Sequence, residues 1–249
     1  MRVLGLDPSL TNFGWAVHDT DASGKARCPE RGRFQTSAKD LFVGRYIEMR
    51  QNVLDLVQRL GVTRVGCEFP VFNDLWSEGM YGLFLFTCEA LYIAKVDLVF
   101  FAPPQIKAHA RLFLDRPSPG GNLWIMGKPD MVEAAKEDAG GVGYWNHNEA
   151  DAYWVARSAA RFWLHLDGVL GAEDLTPVEK KQFRDIHIYQ RGKRAGQTDK
   201  KGILYREDER FFRWTDGETD GREEGRGSGN DGEGSEVDEV GEAHQVDPG

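Results

Sequence analysis

Apolar and polar positions alternate along the front half of the chain in a way that predicts short strands followed by a helix. The run 2–7 (RVLGLD) is typical of a short buried strand, and 14–18 and 32–36 predict two more strands. Apolar residues then recur at steps of three and four over 42–60, which indicates an amphipathic helix. Gly61 follows at the position where a left-handed glycine commonly ends a helix.

Two further strand runs follow, at 63–68 and 97–102, so that five strands are expected. The segment between them, 75–94, predicts a helix that is apolar on two sides and must be covered on two sides. Its own sheet is one cover, and the other is either a partner subunit or the rest of the chain. The two stripes are Leu75, Gly79, Gly82, Phe86 and Ala90, and Met80, Phe84, Thr87 and Leu91. Further helices are predicted at 104–114, 129–139 and 148–166.

The net charge of -9 is unevenly distributed along the 249 residues. Residues 216–249 hold 12 acidic and 2 basic residues, which leaves 28 acidic and 29 basic residues in the body. The acidic tail has few large apolar side chains to bury, so we expect it to be disordered. The near-neutral body can hold a basic cleft. Residues 172–214 have a weaker pattern, with 11 basic and 8 acidic residues, and are expected to form an appended hairpin or arm.

The cysteine pattern indicates a reduced protein. Cys28, Cys67 and Cys88 form neither a CxxC pair nor a zinc-binding spacing. The first apolar run is short and contains an acid, which does not fit a signal peptide, and no apolar stretch reaches the roughly 18 residues that span a bilayer. We therefore expect a cytoplasmic protein.

Three acidic residues stand at the ends of predicted elements. Asp7 ends the first strand, Glu68 ends the fourth, and Asp151 lies in the first turn of the helix 148–166. Strand ends at one edge of a sheet can be neighbours, and three carboxylates there repel one another unless a cation lies between them. Hard oxygen ligands favour Mg2+ or Mn2+, and two such ions about 4 Å apart can activate water and stabilise the leaving oxygen of a phosphodiester.

Each acid also has an ordinary structural explanation. Asp7 precedes Pro8 and fits a turn, and Glu68 is either solvated or paired with an arginine. Asn148 and Asp151 fit a helix N-cap and its third position, where both satisfy free N–H groups. The order of the three acids, each at the appropriate end of its element, favours the metal-binding interpretation.

Six short segments of the chain form a recognisable set: 4–9 (LGLDPS) followed by 14–17 (GWAV), 67–68 (CE), 150–152 (ADA), 104–107 (PQIK) and 127–132 (GKPDMV). Together they resemble the motifs of the RuvC-type Holliday junction resolvases of the ribonuclease H-like superfamily. The resemblance covers roughly 1–166 and implies an α/β fold, a mixed five-stranded sheet flanked by helices. The expected organisation is a nuclease domain over 1–166, a basic extension over 167–215 and the disordered acidic tail over 216–249.

The resemblance implies a homodimer that holds a four-way DNA junction and nicks two strands of like polarity with two metal ions per site. Asp7, Glu68 and Asp151 would hold Mg2+ or Mn2+. Lys107 and Lys128 would contact phosphate or stabilise charge near the scissile group; the alternative for both is an ordinary surface lysine. The helix 75–94 corresponds to the dimerisation helix. Such a small, tailed resolvase would suit a bacterial virus, acting in the bacterial cytoplasm.

The sequence departs from the family at two places. A fourth ligand, Asp or His, is expected three residues before the last Asp, where this chain has Asn148; an amide oxygen can bind Mg2+ but brings no charge. His147 lies one residue earlier and is a candidate if a non-helical turn lets it swing in. The family's junction-wedging aromatic has candidates in Phe69, Phe72 and Trp76. The alternative is that these aromatics are core or dimer-contact residues, which is favoured for Phe69.

Other functions remain open at this point. A nuclease of the same fold acting on flaps, forks or RNA-DNA hybrids is one, and a non-catalytic junction-binding protein, favoured by Asn148, is another. An actin-like ATPase shares the opening Asp and Gly, but no second Gly-rich phosphate segment follows a strand. Basic residues between 191 and 201 either track phosphates or form a solvated loop. The tail either competes with DNA for the cleft or only keeps the protein soluble.

Overall fold

Seven strands in the described part of the chain form one mixed sheet. The structure is a computed structural model and describes residues 1–20, 26–69, 78–114, 126–140, 143–184 and 204–205. The strands are β1 (Arg2–Asp7), β2 (Asn12–Thr20), β3 (Ala26–Arg27), β4 (Arg31–Gln35), β5 (Arg64–Glu68), β6 (Asp97–Phe101) and β7 (Leu204–Tyr205). The five predicted strands are confirmed. The two additional strands, β3 and β7, have two residues each, too few to show a periodic pattern.

Strand pairing makes the sheet mixed. The order is β3-β2-β1-β5-β6-β7, and β4 also pairs with β2. The neighbours β1, β5 and β6 are parallel, whereas β2 is antiparallel to β1, β3 and β4, and β7 is antiparallel to β6. The carboxyl ends of the three parallel strands therefore lie at one edge of the sheet, where β1 and β5 end in acidic residues.

Helices cover both faces of the sheet. They are α1 (Phe42–Leu60), α2 (Glu78–Ile93), α3 (Pro103–Ala110), α4 (Lys128–Ala139), α5 (His147–Leu166) and α6 (Pro177–Arg184), with short 3-10 turns at Arg111–Phe113 and Ala172–Asp174. All the predicted helices are present. Gly61 ends α1 in the left-handed conformation, with φ 58°, as expected.

The alternation of side chains along β1 divides the core into two layers. Leu4 and Leu6 belong to the layer packed with α1 and α2, whereas Val3 belongs to the layer packed with α4 and α5. Phe183 of α6 and Leu175 are buried in that second layer. Residues 172–184 were expected to be part of a hairpin or arm, but this stretch is instead packed onto the body.

Both predicted stripes of α2 are covered by the chain itself. A Cβ added at Gly79 or Gly82 would meet Phe42 or Tyr46 of α1, because glycine lets these two helices approach closely. On the other side Phe84 packs against Phe100 of β6, with ring centroids 5.4 Å apart. The sequence left open whether a partner subunit or the rest of the chain covers these stripes, and the structure shows the rest of the chain in contact with them.

A third face of α2 is exposed and apolar. Tyr81, Leu85, Tyr92 and Ile93 are each about half exposed. Such a face is available to a second molecule, and it is not the face that the sequence pattern pointed to.

Several expectations fall outside the described residues. These are the wedge candidates Phe72 and Trp76, the basic residues between 191 and 201, and the acidic tail 216–249. Among the described helices, none is both long and apolar enough to cross a membrane.

Candidate active site

The acids Asp7 and Glu68 end neighbouring parallel strands. Leu6 pairs with Cys67, so Asp7 and Glu68 are the next residues on β1 and β5. Gly5, two residues before Asp7, faces α5, because a Cβ placed on it would overlap the backbone of that helix. Since side chains alternate along a strand, Asp7 points to the same face. The same parity argument places Glu68 on this face, because Gly66 contacts α5.

Three glycines bring α5 down onto the sheet. A Cβ added at Gly5 or Gly14 would lie less than 3.0 Å from backbone atoms of α5, and one at Gly66 would lie 2.7 Å from the Cβ of Ala159. Real Cβ atoms essentially never come this close, so any larger residue would force the helix away. A glycine inside a strand is a known sign of close backbone approach, so these three glycines were a signal in the sequence that points to the position of α5.

The close approach of α5 places Asp151 beside the strand ends. Its neighbour Ala152 is the residue whose carbonyl oxygen lies over Gly5, and Asn148 lies over Gly14. Gly14 is in turn paired with Asp7 across β1 and β2. The first turns of α5 therefore lie directly above the end of β1.

The N-cap of α5 is Asn146, not Asn148 as the sequence suggested. Asn146 Oδ1 accepts a hydrogen bond from the backbone N–H of Asn148 at 2.9 Å, and Glu149 completes the capping box. The cap explanation for Asn148 and Asp151 is therefore wrong, because both lie inside the helix. Asn148 Nδ2 donates to the Asn12 carbonyl oxygen at 2.8 Å, which leaves its Oδ1 as the atom that can bind a ligand.

His147 is the first residue of α5, so it does not lie in the non-helical turn that would let it swing towards a metal. It is four residues before Asp151, so the two share one face of the helix. Burial, followed by the positive charges of Lys128 and Arg33, lowers the pKa of its imidazole. A neutral imidazole is the form that binds metal.

Charge interactions tie the five predicted catalytic residues into one cluster. Burial, then the charges of Glu68 and Asp151, raise the pKa of Asp7 well above its usual value, with Lys128 opposing. Burial and then Asp151 raise the pKa of Glu68 to about 8, with Lys107 opposing. Burial raises the pKa of Asp151 to about 6, and both lysines oppose this.

The donor set fits a hard divalent cation. Burial and neighbouring carboxylates raise the pKa values of Asp7 and Glu68, so the three half-buried acids are costly to ionise together, and a cation between them removes that cost. Within the part of the chain that the structure describes, no group of three or more His, Cys, Asp or Glu side chains is already gathered around a single metal position.

The two predicted lysines lie on different helices beside the acids. Lys107 is exposed on α3, which begins directly after β6, and Lys128 is the first residue of α4. Phe69, in contrast, is half-buried and packs on the core: its ring lies edge-on against Phe84 and Phe100, with centroids 5.6 Å and 5.7 Å away. These contacts favour the core alternative for Phe69.

Comparison with solved structures shows which fold this is. The chain resembles Thermus thermophilus RuvC in complex with a Holliday junction substrate, at 19% identity and a TM-score of 0.54, over 66% of this chain and 96% of that one. It resembles a second T. thermophilus RuvC structure at 20% identity and a TM-score of 0.53, over 68% and 97% of the two chains. The expected ribonuclease H-like fold of the RuvC type is therefore confirmed. No protein-family model and no curated protein sequence matches the chain.

Proposed function

We propose that this protein is a metal-dependent endonuclease that cuts branched DNA, with the four-way junction as its preferred substrate. The observation that carries the proposal is the placement of Asp7, Glu68 and Asp151. Two neighbouring strand ends and the closely packed helix α5 bring these half-buried acids into one electrostatic cluster. An ordinary turn and helix cap would not require this arrangement, and the cap role belongs to Asn146.

The chain's residues take separate roles in this proposal. Asp7, Glu68 and Asp151 would hold Mg2+ or Mn2+, with two ions per site, and Asn148 Oδ1 or His147 would supply a further ligand. When bound, divalent ions activate water and stabilise charge on the leaving oxygen of a phosphodiester. Lys107 and Lys128 stabilise negative charge at the phosphate, because both already oppose the raised pKa of the acids.

The choice of branched DNA rests on the fold and the sequence motifs together. The similar T. thermophilus protein was solved with a Holliday junction substrate, and this chain covers 96% of its length. Motifs at the acids and the two lysines resemble that family. These two lines of support favour a junction over a linear duplex as the substrate.

We further propose that the protein acts as a homodimer, because two nicks across one junction require two active sites. The apolar face of α2 formed by Tyr81, Leu85, Tyr92 and Ile93 is the surface that we assign to the partner. Its exposed aromatic and aliphatic side chains suit a self-complementary interface.

A nicking assay tests the proposed activity. The protein is incubated with labelled four-way, forked, duplex and RNA-DNA hybrid substrates, with Mg2+, with Mn2+ or with excess chelator. We expect cleavage of the four-way substrate first, at paired positions, and only with a divalent ion. Robust cleavage in chelator would exclude the metal role, and a preference for hybrids or forks would reassign the substrate. Binding without cleavage under all conditions would instead indicate a non-catalytic junction-binding protein.

A further inference from the structure

We propose that Arg33 of the edge strand β4 binds a DNA phosphate beside the active site, on the opposite side of the acids from Lys107. This inference rests on the proposed function, because it names a contact that the nucleic acid makes with the same site. Arg33 lies outside every segment of the chain that resembles the resolvase family.

Strand register places Arg33 in line with the acids. Arg33 pairs with Gly14 across β4 and β2, and Gly14 pairs with Asp7 across β2 and β1. Glu68 follows on β5, next to Asp7. Residues directly opposite one another point to the same face, and neighbouring strands are about 4.8 Å apart, so the Arg33 Cα lies about 10 Å from the Asp7 Cα.

The face on which Arg33 lies is the face of α5. Its partner Gly14 lies beneath Asn148, and the side chains that alternate with it on β4 make contacts on that same side. Arg31 donates to Glu149 Oε2 of α5 at 3.2 Å, and Gln35 Nε2 donates to Asn12 Oδ1 at 2.9 Å. The Arg33 guanidinium therefore emerges over the first turn of α5, next to the acids.

Arg33 differs from its neighbour Arg31 in having no hydrogen-bond or ion-pair partner among the residues that the structure describes. Arg31 is held by Glu149, by the Tyr144 carbonyl oxygen at 3.1 Å and by the Trp145 ring, whose centroid is 4.0 Å away. Arg33 is exposed and has neither a hydrogen bond nor an ion pair with any described residue. Glu149, the acid in the first turn of α5, already binds Arg31 and the backbone N–H of Asn146. Within the described part of the chain, the Arg33 guanidinium is thus left uncompensated beside the acids.

A phosphate is the ligand that fits this position. Arginine presents a planar fork of donors that matches phosphate oxygens. Lys107 lies near Glu68 and Asp151, so the acids are flanked by cations on both sides, with Lys128 between. A DNA strand that runs across the sheet edge from β4 towards α3 would meet Arg33, then the acids, then Lys107. The separation of about 10 Å between Arg33 and Asp7 corresponds to about three nucleotides at about 3.4 Å of DNA helix axis per nucleotide. Arg33 would therefore contact a phosphate about three nucleotides away from the phosphate above Asp7.

The test measures DNA binding without cleavage, by fluorescence anisotropy of the full-length protein with a labelled four-way junction in chelator. The variants are Arg33→Gln, Arg33→Lys and, as the control, Arg2→Gln. Arg2 is exposed at the other end of β1 and pairs with Asp19, so its replacement removes the same charge far from the acids. Each variant is measured at several salt concentrations and on two junctions of different sequence, with thermal unfolding as the check on folding.

We expect Arg33→Gln to raise the Kd about tenfold on both junctions, because a phosphate contact carries no sequence information. The slope of log K against log salt should become shallower by about 0.9, the value for one lost phosphate contact. Arg33→Lys should retain most of the slope, and Arg2→Gln should change neither quantity. A wild-type Kd and slope for Arg33→Gln, with the wild type still binding and cutting junctions, would overturn this inference alone. If the wild type binds no branched DNA, the proposed function falls and this contact falls with it.

Discussion

Gly14 on β2 leaves no room for a side chain beneath Asn148 of α5. A Cβ built on Gly14 would lie less than 3.0 Å from the Asn148 backbone, in the row that also contains Asp7. The absence of one carbon therefore sets the height of the helix that carries Asp151 above the strand that carries Asp7. A backbone contact of this kind links the packing of the core directly to the geometry of the acids.

Replacing Gly14 with Ala should destabilise the protein and weaken cleavage together. The added methyl group must push α5 from the sheet, and such overpacking typically costs about 1–3 kcal/mol. Urea denaturation would measure the free energy of unfolding, and the junction-nicking rate would report the displaced acids. Gly44→Ala is the matched control, since nothing lies within 4 Å of its added Cβ and it is in helix α1. That variant should gain roughly 0.5–1 kcal/mol from helix propensity and nick normally.

Asp7→Asn and Glu68→Gln should each abolish nicking while junction binding persists. Both substitutions keep the shape of the side chain and remove the charge that holds the metal, and this affects the transition state more than phosphate contacts. We expect nicking below about one-hundredth of the wild-type rate, because changes one shell further from a metal already cost 10–100-fold. A gel-shift assay beside a nicking assay measures both properties. Wild-type nicking by either variant would remove that residue from the ligand set.

Without metal, Glu68 should make the protein less stable as the pH rises. Burial and Asp151 raise the pKa of Glu68 to about 8, whereas glutamate in an unfolded chain has a pKa of about 4.3. Between these values the folded state holds a proton that the unfolded state has released, so the free energy of unfolding falls with rising pH. Glu68→Gln removes this fall in the free energy of unfolding, which amounts to at most about 1.4 kcal/mol per pH unit.

Thermal unfolding in chelator between pH 4.5 and pH 8.5 checks this expectation. The advantage of Glu68→Gln over the wild type should grow with pH. Adding Mg2+ at pH 8 should then stabilise the wild type more than the variant, because an ion that binds only the folded state shifts unfolding by mass action. A constant stability difference across this pH range would contradict the proposed burial of Glu68.

The sequence revealed the acids but not the contacts that hold them. Asp7 and Glu68 were predictable because parallel strands end at one edge of a sheet. The N-cap of α5 was not predictable, because Asn146 and Asn148 both suit an N-cap. The choice between them depends on the contact of Asn148 with Asn12, which is distant in sequence. Arg33 was missed for a related reason: the register that aligns it with Asp7 is set by pairing across three strands.

A buried ionic network ties α6 to the helix that carries Lys107, and its loss should be costly. His109 Nε2 of α3 lies 3.2 Å from Glu179 Oε1 of α6, and Arg161 Nε donates to the same oxygen at 2.7 Å. Burial opposes ionisation of Glu179, but the bonds with His109 and Arg161 hold its pKa below the usual range. Glu179→Ala should lower the free energy of unfolding, measured by urea denaturation, by about 3 kcal/mol, because it leaves the buried His109 and the partly buried Arg161 without their carboxylate partner.

Glu173→Ala is the control for that variant, since Glu173 is an exposed acid just before α6 and should change stability by less than about 0.5 kcal/mol. Glu179→Gln should fall between the two, because it retains the shape and loses only the charge. Equal stability of Glu179→Ala and Glu173→Ala would show that α6 is not held by this network.

The dimer proposal is best tested at Leu85 rather than at Phe84. Phe84 packs on Phe69 and Phe100 of its own chain, so a charge there would damage the fold whether or not a partner is present. Leu85 is 55% exposed in the middle of the apolar face of α2. Leu85→Glu should therefore shift the protein from dimer to monomer in light scattering at micromolar concentration, since two copies of a buried unpaired carboxylate would face each other.

Val169→Glu, at a position 67% exposed after α5, introduces the same charge away from this face and should leave the dimer intact. A Leu85→Glu monomer that still binds junctions but no longer makes paired nicks would link the α2 face to the second active site. A monomeric wild type, both free and on DNA, would exclude the dimer.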